Sequence, residues 1–189
     1  MHGCLRVLDV ADPKAPYEVG RFEQLGLFLG VTVAGSHAQV DVKNGTLWVV
    51  DVSDPNTPVG VASWHGTGEG QDVVVAGSYA YLADRDGFVH IVDVSNSRAP
   101  KRVSSSPDEP GIALAVAVAG NHAYVCSKRG VLHVLDVSNP QAPTWVGSYK
   151  TSGRANGVTV AGAHAYVNDG EGGLLILEFS VLESGARSP

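Results

Sequence analysis

A chain that writes one short phrase several times at a fixed spacing is committed to stacking copies of one small unit. Each copy offers the same apolar face, and only another copy matches it. This chain does so with two phrases. The first is VTVAGSHAQV from Val31, VVVAGSYAYL from Val73, VAVAGNHAYV from Val116 and VTVAGAHAYV from Val158. The second is LRVLDV from Leu5, LWVVDV from Leu47, VHIVDV from Val89, LHVLDV from Leu132 and LLILEF from Leu174. Gly35, Gly77, Gly120 and Gly162 are 42, 43 and 42 residues apart, and Asp9, Asp51, Asp93, Asp136 and Glu178 are 42, 42, 43 and 42 apart. Two independent markers keep one period.

Each unit reads as four short strands. β-Branched residues flank Gly-Ser, Gly-Asn or Gly-Ala, the signal for a tight hairpin joining a first strand (residues 31–34) to a second (38–42). A glycine turn follows, at Gly45, Gly87, Gly130 and Gly170, and then the LxVxDV run as third strand. That strand stops at a corner with two prolines, Pro13 and Pro16, Pro55 and Pro58, or Pro140 and Pro143; Ser97 replaces the first in the copy that ends at Pro100. Proline lacks a ladder donor and fixes φ, so the corner is rigid and leads to an outer fourth strand such as residues 144–149. No stretch sustains a 3.6-residue period, so almost no helix is expected.

Four antiparallel strands in such a period is the arithmetic of a β-propeller blade. The third strand supports it: Leu132, Val134 and Val137 are apolar and so is Leu135 on the opposite parity, which suits a sheet packed between two neighbours. The composition, 44% hydrophobic and 17% charged over 189 residues, is that of a globular chain. We therefore expect an all-β fold, a β-propeller of about four four-stranded blades. It forms one repeat domain over residues 1–189: a partial unit at 1–25, units at about 26–67, 68–110 and 111–152, a terminal partial unit at 153–182 and a tail at 183–189.

The recurring Leu47-Trp48-Val49-Val50-Asp51 strand with its copies, the Val-Ser-Asn/Asp-Pro-x-x-Pro corner and the Val-Ala-Gly-x-His/Tyr-Ala-Tyr-Val hairpin resemble LVIVD-repeat proteins. The resemblance covers almost the whole chain. It implies a β-propeller, a bacterial or archaeal cell-surface setting, and no catalytic residues to carry over. Chains of that family are typically longer, and this one starts within a unit, so it reads as a fragment or a short version.

The ends follow from the strand count. Residues 5–10 and 174–179 carry the same third-strand pattern and compete for one place beside the second strand at residues 165–168. The C-terminal copy is expected to win, since closing the short loop at residues 169–173 costs less entropy than recruiting a strand from the far end. The fourth strand at residues 17–22 then either closes the ring or starts an open arc, and the arc is favoured. Open end blades would expose apolar faces and invite self-association.

Charge and motifs exclude several functions. A net charge of −6 gives no basic excess for phosphates, so nucleic acid is not an expected partner. Cys4 and Cys126 are too few for a disulfide framework. Apolar runs such as residues 112–119 are far short of the roughly 18 residues of a membrane span, so no membrane insertion is expected. No apolar leader precedes Leu5, and no signal peptide is read. Gly66-Thr67-Gly68-Glu69-Gly70 lacks the Gly-Lys-Ser/Thr of a phosphate loop, and no Gly-x-Ser-x-Gly elbow occurs. No cofactor is implied.

The polar residues that repeat read as structural. His37, His122 and His164 share one repeat place with Tyr79, which ligates zinc poorly, so each ring is expected to cover a cross-strand neighbour and no metal site is assigned. His90 and His133 read as packing between blades. The repeated acids Asp9, Asp51, Asp93, Asp136 and Glu178 are read as structural, an aspartate there being placed to accept backbone N–H bonds from the corner that follows; catalysis needs one acid tuned apart from its neighbours, not five alike, and no catalytic residue is assigned. Asp84-Arg85-Asp86-Gly87 and Asn44-Gly45 read as hairpin turns.

What differs between units is the loops at residues 23–28, 64–72, 105–113 and 150–156, which a propeller brings to one face together with the turns at 84–87 and 128–130. Loops on a rigid scaffold are where recognition sits. Trp64, His65, Glu69, Asp72, Asp108, Glu109 and Arg154 are therefore the expected contacts for a protein or small surface ligand. The rival is an enzyme using Asp72, His65 and Arg154 at the channel mouth.

Overall fold

The computed structural model describes residues 2–66, 68–107 and 111–179. Among these residues are seventeen strands in five antiparallel sheets. Three sheets are complete four-stranded blades. The first holds β3 (Phe28–Ala34), β4 (His37–Val42), β5 (Thr46–Asp51) and β6 (Val59–His65). The second holds β7 (Gly70–Ala76), β8 (Tyr79–Asp84), β9 (Val89–Asp93) and β10 (Lys101–Ser105). The third holds β11 (Ala113–Ala119), β12 (His122–Ser127), β13 (Val131–Asp136) and β14 (Thr144–Lys150). At the ends stand a pair, β1 (His2–Asp9) with β2 (Tyr17–Leu25), and a triplet, β15 (Gly157–Ala161), β16 (His164–Asn168) and β17 (Leu174–Glu178). A short 3-10 turn at Gly170–Gly172 is the only helical element among the described residues.

Successive first strands lie side by side, β3 against β7, β7 against β11 and β11 against β15, which turns the blades around a common axis. Among the described residues the sheets do not close: β17 pairs with β16, and β1 pairs only with β2. The C-terminal third strand has taken the disputed place, as the loop-length argument expects.

Burial explains why the third strand is apolar on both parities. In the complete blades Leu47, Val49, Val50, Ile91, Val92, Leu132 and Leu135 are at most 1% exposed, each contributing about 2 kcal/mol of burial. The same pattern at the ends finds a neighbour on one side only. Leu8 in β1 is 51% exposed, and Leu174 and Ile176 in β17 are 68% and 54% exposed.

The four corners within the described residues use the repeated acid as expected, and the segment that follows Glu178 and Phe179 lies outside them. Asp9, Asp51, Asp93 and Asp136 accept the backbone N–H two residues on, at 2.8, 2.9, 2.9 and 2.8 Å. The Ser53 hydroxyl and N–H hold the Asp51 carboxyl below the usual carboxylate range, and Ser95 does the same for Asp93. Asp54, Asn96 and Asn139 add a second such turn, at 3.0, 3.1 and 3.1 Å.

The fourth strand is more regular than its sequence. Pairing skips Val19, Val61, Val103 and Val146, one β-bulge at one place in each unit. A bulge sharpens the twist of an outer strand and spoils it as a template for further pairing.

Candidate functional site

The loops that differ between units do share one rim, and backbone hydrogen bonds lock them to the β-turns of that face. Gly66 donates to the Gly45 carbonyl at 2.7 Å, Arg85 to that of Glu69 at 2.9 Å, Thr151 to that of Gly130 at 2.8 Å and Arg154 to that of Asp169 at 3.0 Å. The turn glycines are required here: Gly45, Gly87 and Gly130 have φ of 78°, 92° and 69°. A Cβ on Gly45 or Gly130 would also meet a loop carbonyl, of Gly68 or Gly153, at 2.3 or 2.2 Å.

The expected contact residues divide into two groups. Trp64, His65 and Asp72 lie in strands rather than loops, because the ladder runs on: Trp64 and His65 end β6 opposite Leu47 and Thr46, and Gly70 and Asp72 pair with β8 around a bulge. Trp64 is half-buried, with its ring edge-on to His90 of the next blade at 5.6 Å. The exposed His65 shares a hydrogen bond of 3.0 Å between its Nδ1 and Thr46 Oγ1. Asp72 is turned inward. Its Oδ1 accepts the N–H of Val73 and its Oδ2 that of Val116 in the next blade, while burial still pushes its pKa up. Glu69 and Arg154 are exposed on the rim, Glu69 in an ion pair of 3.0 Å with Arg85, Arg154 two blades further along. Asp108 and Glu109 lie outside the described residues.

Beneath the rim runs a buried polar layer that the sequence reading missed. The residue that closes or follows the second strand is Asp84, Ser127 or Asp169, each buried and each set against the loop arriving from the preceding blade. Asp84 Oδ1 accepts the N–H groups of Asp86 and Phe88, and its Oδ2 pairs with His90 Nε2 at 2.6 Å. A Cβ on Gly68 would lie 2.4 Å from that carboxylate, and one on Gly111 3.6 Å from Ser127. Asp169 Oδ2 accepts the Gly153 N–H at 2.8 Å and the Ser152 hydroxyl at 3.2 Å; the neighbouring Thr151 side chain and these groups keep its pKa low. The available signal was positional: Asp84 and His90 flank an Asp-Gly turn, which sets them diagonally across one hairpin.

Asp41 is the outlier. It is fully buried, neither carboxyl oxygen has a hydrogen-bond partner, and a Cβ on Gly70 would lie 2.1 Å from it. Burial first, then the charges of Asp72 and Asp84, push its pKa up to about 8. The other units place Ala83, Cys126 and Asn168 there. Burial, with Asp169 and Asp72 nearby, pushes the Cys126 thiol up to about 12. Among the described residues no group of three His, Cys, Asp or Glu side chains is arranged to hold a metal ion. His37, His122 and His164 instead stand directly across the ladder from Asp51, Asp136 and Glu178.

Above this layer the rim leaves two adjoining open clefts. One, of about 540 Å³, lies among Leu27, Lys43, Asn44, Gly68, Glu69 and Asp86; the other, of about 510 Å³, among Arg85, Asp86, Ile112, Lys128 and Arg129. Both are shallow, charged and built from turns of successive blades.

Comparison with solved structures places the fold among propeller-like proteins. The computationally designed Ika4 protein superposes with a TM-score of 0.70 at 11% identity, over 83% of this chain and 94% of that one. The designed Ika8 protein gives 0.71 at 11% identity over 87% of this chain and 50% of that one. BamB from Moraxella catarrhalis gives 0.64 at 15% identity, over 87% and 49%. The chain therefore spans about half the length of the latter two. No curated protein matches the sequence. The model of the LVIVD repeat matches at residues 29–65, 67–106, 110–151 and 152–181, and with most of its length accounted for in this way the chain belongs to the LVIVD-repeat family.

Proposed function

We propose that this chain is a non-catalytic binding scaffold whose loop rim takes a protein or a small surface ligand, its parent protein standing at the cell surface as the family resemblance implies. One observation carries the reading. The repeated corner acids are consumed in turn bonds, whereas charged loop and turn side chains, some varying between units and some, such as Lys43, Arg85 and Lys128, basic in each complete blade, line two adjoining open clefts on one rim. A rigid sheet with variable charged loops suits recognition. The catalytic alternative has less support, since His65 is bonded to Thr46, Asp72 to two backbone amides, and Arg154 lies two blades away.

The test is binding of the 189-residue chain to an array of extracellular proteins and glycans, followed by charge reversal along the rim. Lys43→Glu and Arg85→Glu are expected to weaken a bound partner at least tenfold, while Asn56→Lys at the opposite corner leaves it unchanged. A turnover abolished by His65→Ala would overturn the reading.

A further inference from the structure

The two ends of the arc are complementary parts of one blade. At one end β1 and β2 hold the third and fourth places, and among the described residues no strand fills the first and second. The first strand of the adjoining blade is bare as a result: Leu29, Val31 and Val33 of β3 are 41%, 54% and 63% exposed. A groove of about 270 Å³ runs between β1 and β3, lined by Cys4, Leu5, Arg6, Phe28 and Leu29. At the other end β15 and β16 are a first and a second strand that lack a fourth.

What fits the bare face of β3 is visible three times within the chain. β3 lies against β7, β7 against β11 and β11 against β15, each time one first strand of the Val-x-Val-Ala-Gly type beside another. The face of β3 is thus shaped for a first-and-second-strand pair of this same repeat. The β15–β16 pair of the same copy is packed on β11, at the far end of the arc.

We propose that two copies of this chain close on each other, β15 and β16 of each copy lying beside β3 of its partner and hydrogen-bonding to the partner's β1. Each joint blade then consists of β15 and β16 from one copy and β1 and β2 from the other. β17 and β1 occupy the same repeat place, so one of them leaves, and β17 is the one. It pairs with β16 over five residue pairs, whereas β1 pairs with β2 over eight and is tied by Arg6 to Glu18 at 2.8 Å. For β16 the exchange swaps one LxVxDV-type strand for another, so ladder bonds are conserved while the face of β3 becomes buried. Three complete blades from each copy and two shared ones make a closed ring of eight with two-fold symmetry. The arc superposes on about half of the Ika8 and BamB chains, so chains of that length have room for a second arc of the same size.

The experiment is light scattering and sedimentation of the 189-residue chain at micromolar concentration. A mass of about twice 19.6 kDa is expected. Val31→Lys with Val33→Lys, both exposed in the single copy and so compatible with its fold by circular dichroism, is expected to return the mass to that of one copy. Position is tested by mixing a Leu5→Cys chain with an Asn168→Cys chain, both carrying Cys4→Ser. Asn168 faces Leu174, the residue that holds the place of Leu5, so a disulfide-linked dimer should form only in the mixture. A single-copy mass for the parent chain, a dimer indifferent to the β3 substitutions, or a 5–168 disulfide that forms within one copy of the double variant would each overturn the proposal.

Discussion

The carboxylate of Asp72 joins two blades: its Oδ2 accepts the N–H of Val116 at 3.0 Å while its Oδ1 accepts that of Val73 at 2.9 Å. The other units put Gly30, Ala115 and Gly157 at that place, so this clamp is made once. It adds a polar link to the contact between the first strands of the second and third complete blades.

Asp72→Ala is therefore expected to cost about 1–3 kcal/mol, the penalty for two backbone donors left unpaired in a half-buried setting. Urea unfolding measures it. Asp72→Asn, which keeps an acceptor oxygen, should recover part of the loss.

Asp41 gives a pH dependence of definite sign. Its folded pKa is pushed up to about 8 from the ordinary carboxylate value of 3.8, so between these values the folded chain holds a proton that the unfolded chain has released. Stability then falls as pH rises through that window, by up to about 1.4 kcal/mol per unit, and levels off above it. Asp41→Asn should remove this slope. Thermal unfolding is expected to show little difference from the parent near pH 4 and a clear gain for the variant at pH 9.

Gly70 and Asp41 should be coupled. A Cβ on Gly70 would stand 2.1 Å from the Asp41 carboxyl, so Gly70→Ala overpacks the site and is expected to cost about 1–3 kcal/mol. In an Asp41→Ala background the obstacle is gone and the same change should cost far less. A double-mutant cycle reads the difference directly.

His90 sits between Asp84, at 2.6 Å from its Nε2, and Ser105, at 2.9 Å from its Nδ1, with the Trp64 ring against its edge. His90→Ala leaves a buried carboxylate short of a partner and is expected to cost about 3 kcal/mol. Trp64 emission should shift to the red as water reaches the gap. A variant with unchanged emission would mean that the ring contact is not what shields Trp64.

The parts of this fold that were legible in the sequence are those decided locally. The hairpin glycines, the doubly apolar third strands and the acids that cap the corners each depend on residues a few positions apart, and the period repeats the message. The parts that were not legible depend on register or on the next blade. Val19, Val61, Val103 and Val146 look like ordinary strand residues until pairing skips them. Asp41 looks like any polar strand end until the next blade brings Gly70 over it. Trp64, His65 and Asp72 read as loop because a glycine-rich stretch hides the continuing ladder. Variation between units marked the rim, but which side chains the rim spends on holding itself together became visible only with the hydrogen bonds in place.

The two thiols make the chain its own clock. Cys4 is exposed and open to a thiol reagent at once, whereas Cys126 is sealed between the third complete blade and the C-terminal triplet, against Ala165 and Val167. Reagent reaches it only when β15–β17 peel away, so its labelling rate counts the openings of that end without unfolding the rest. A terminal unit held on one side peels before an inner one, and slower labelling of Cys126 would register anything that caps the arc.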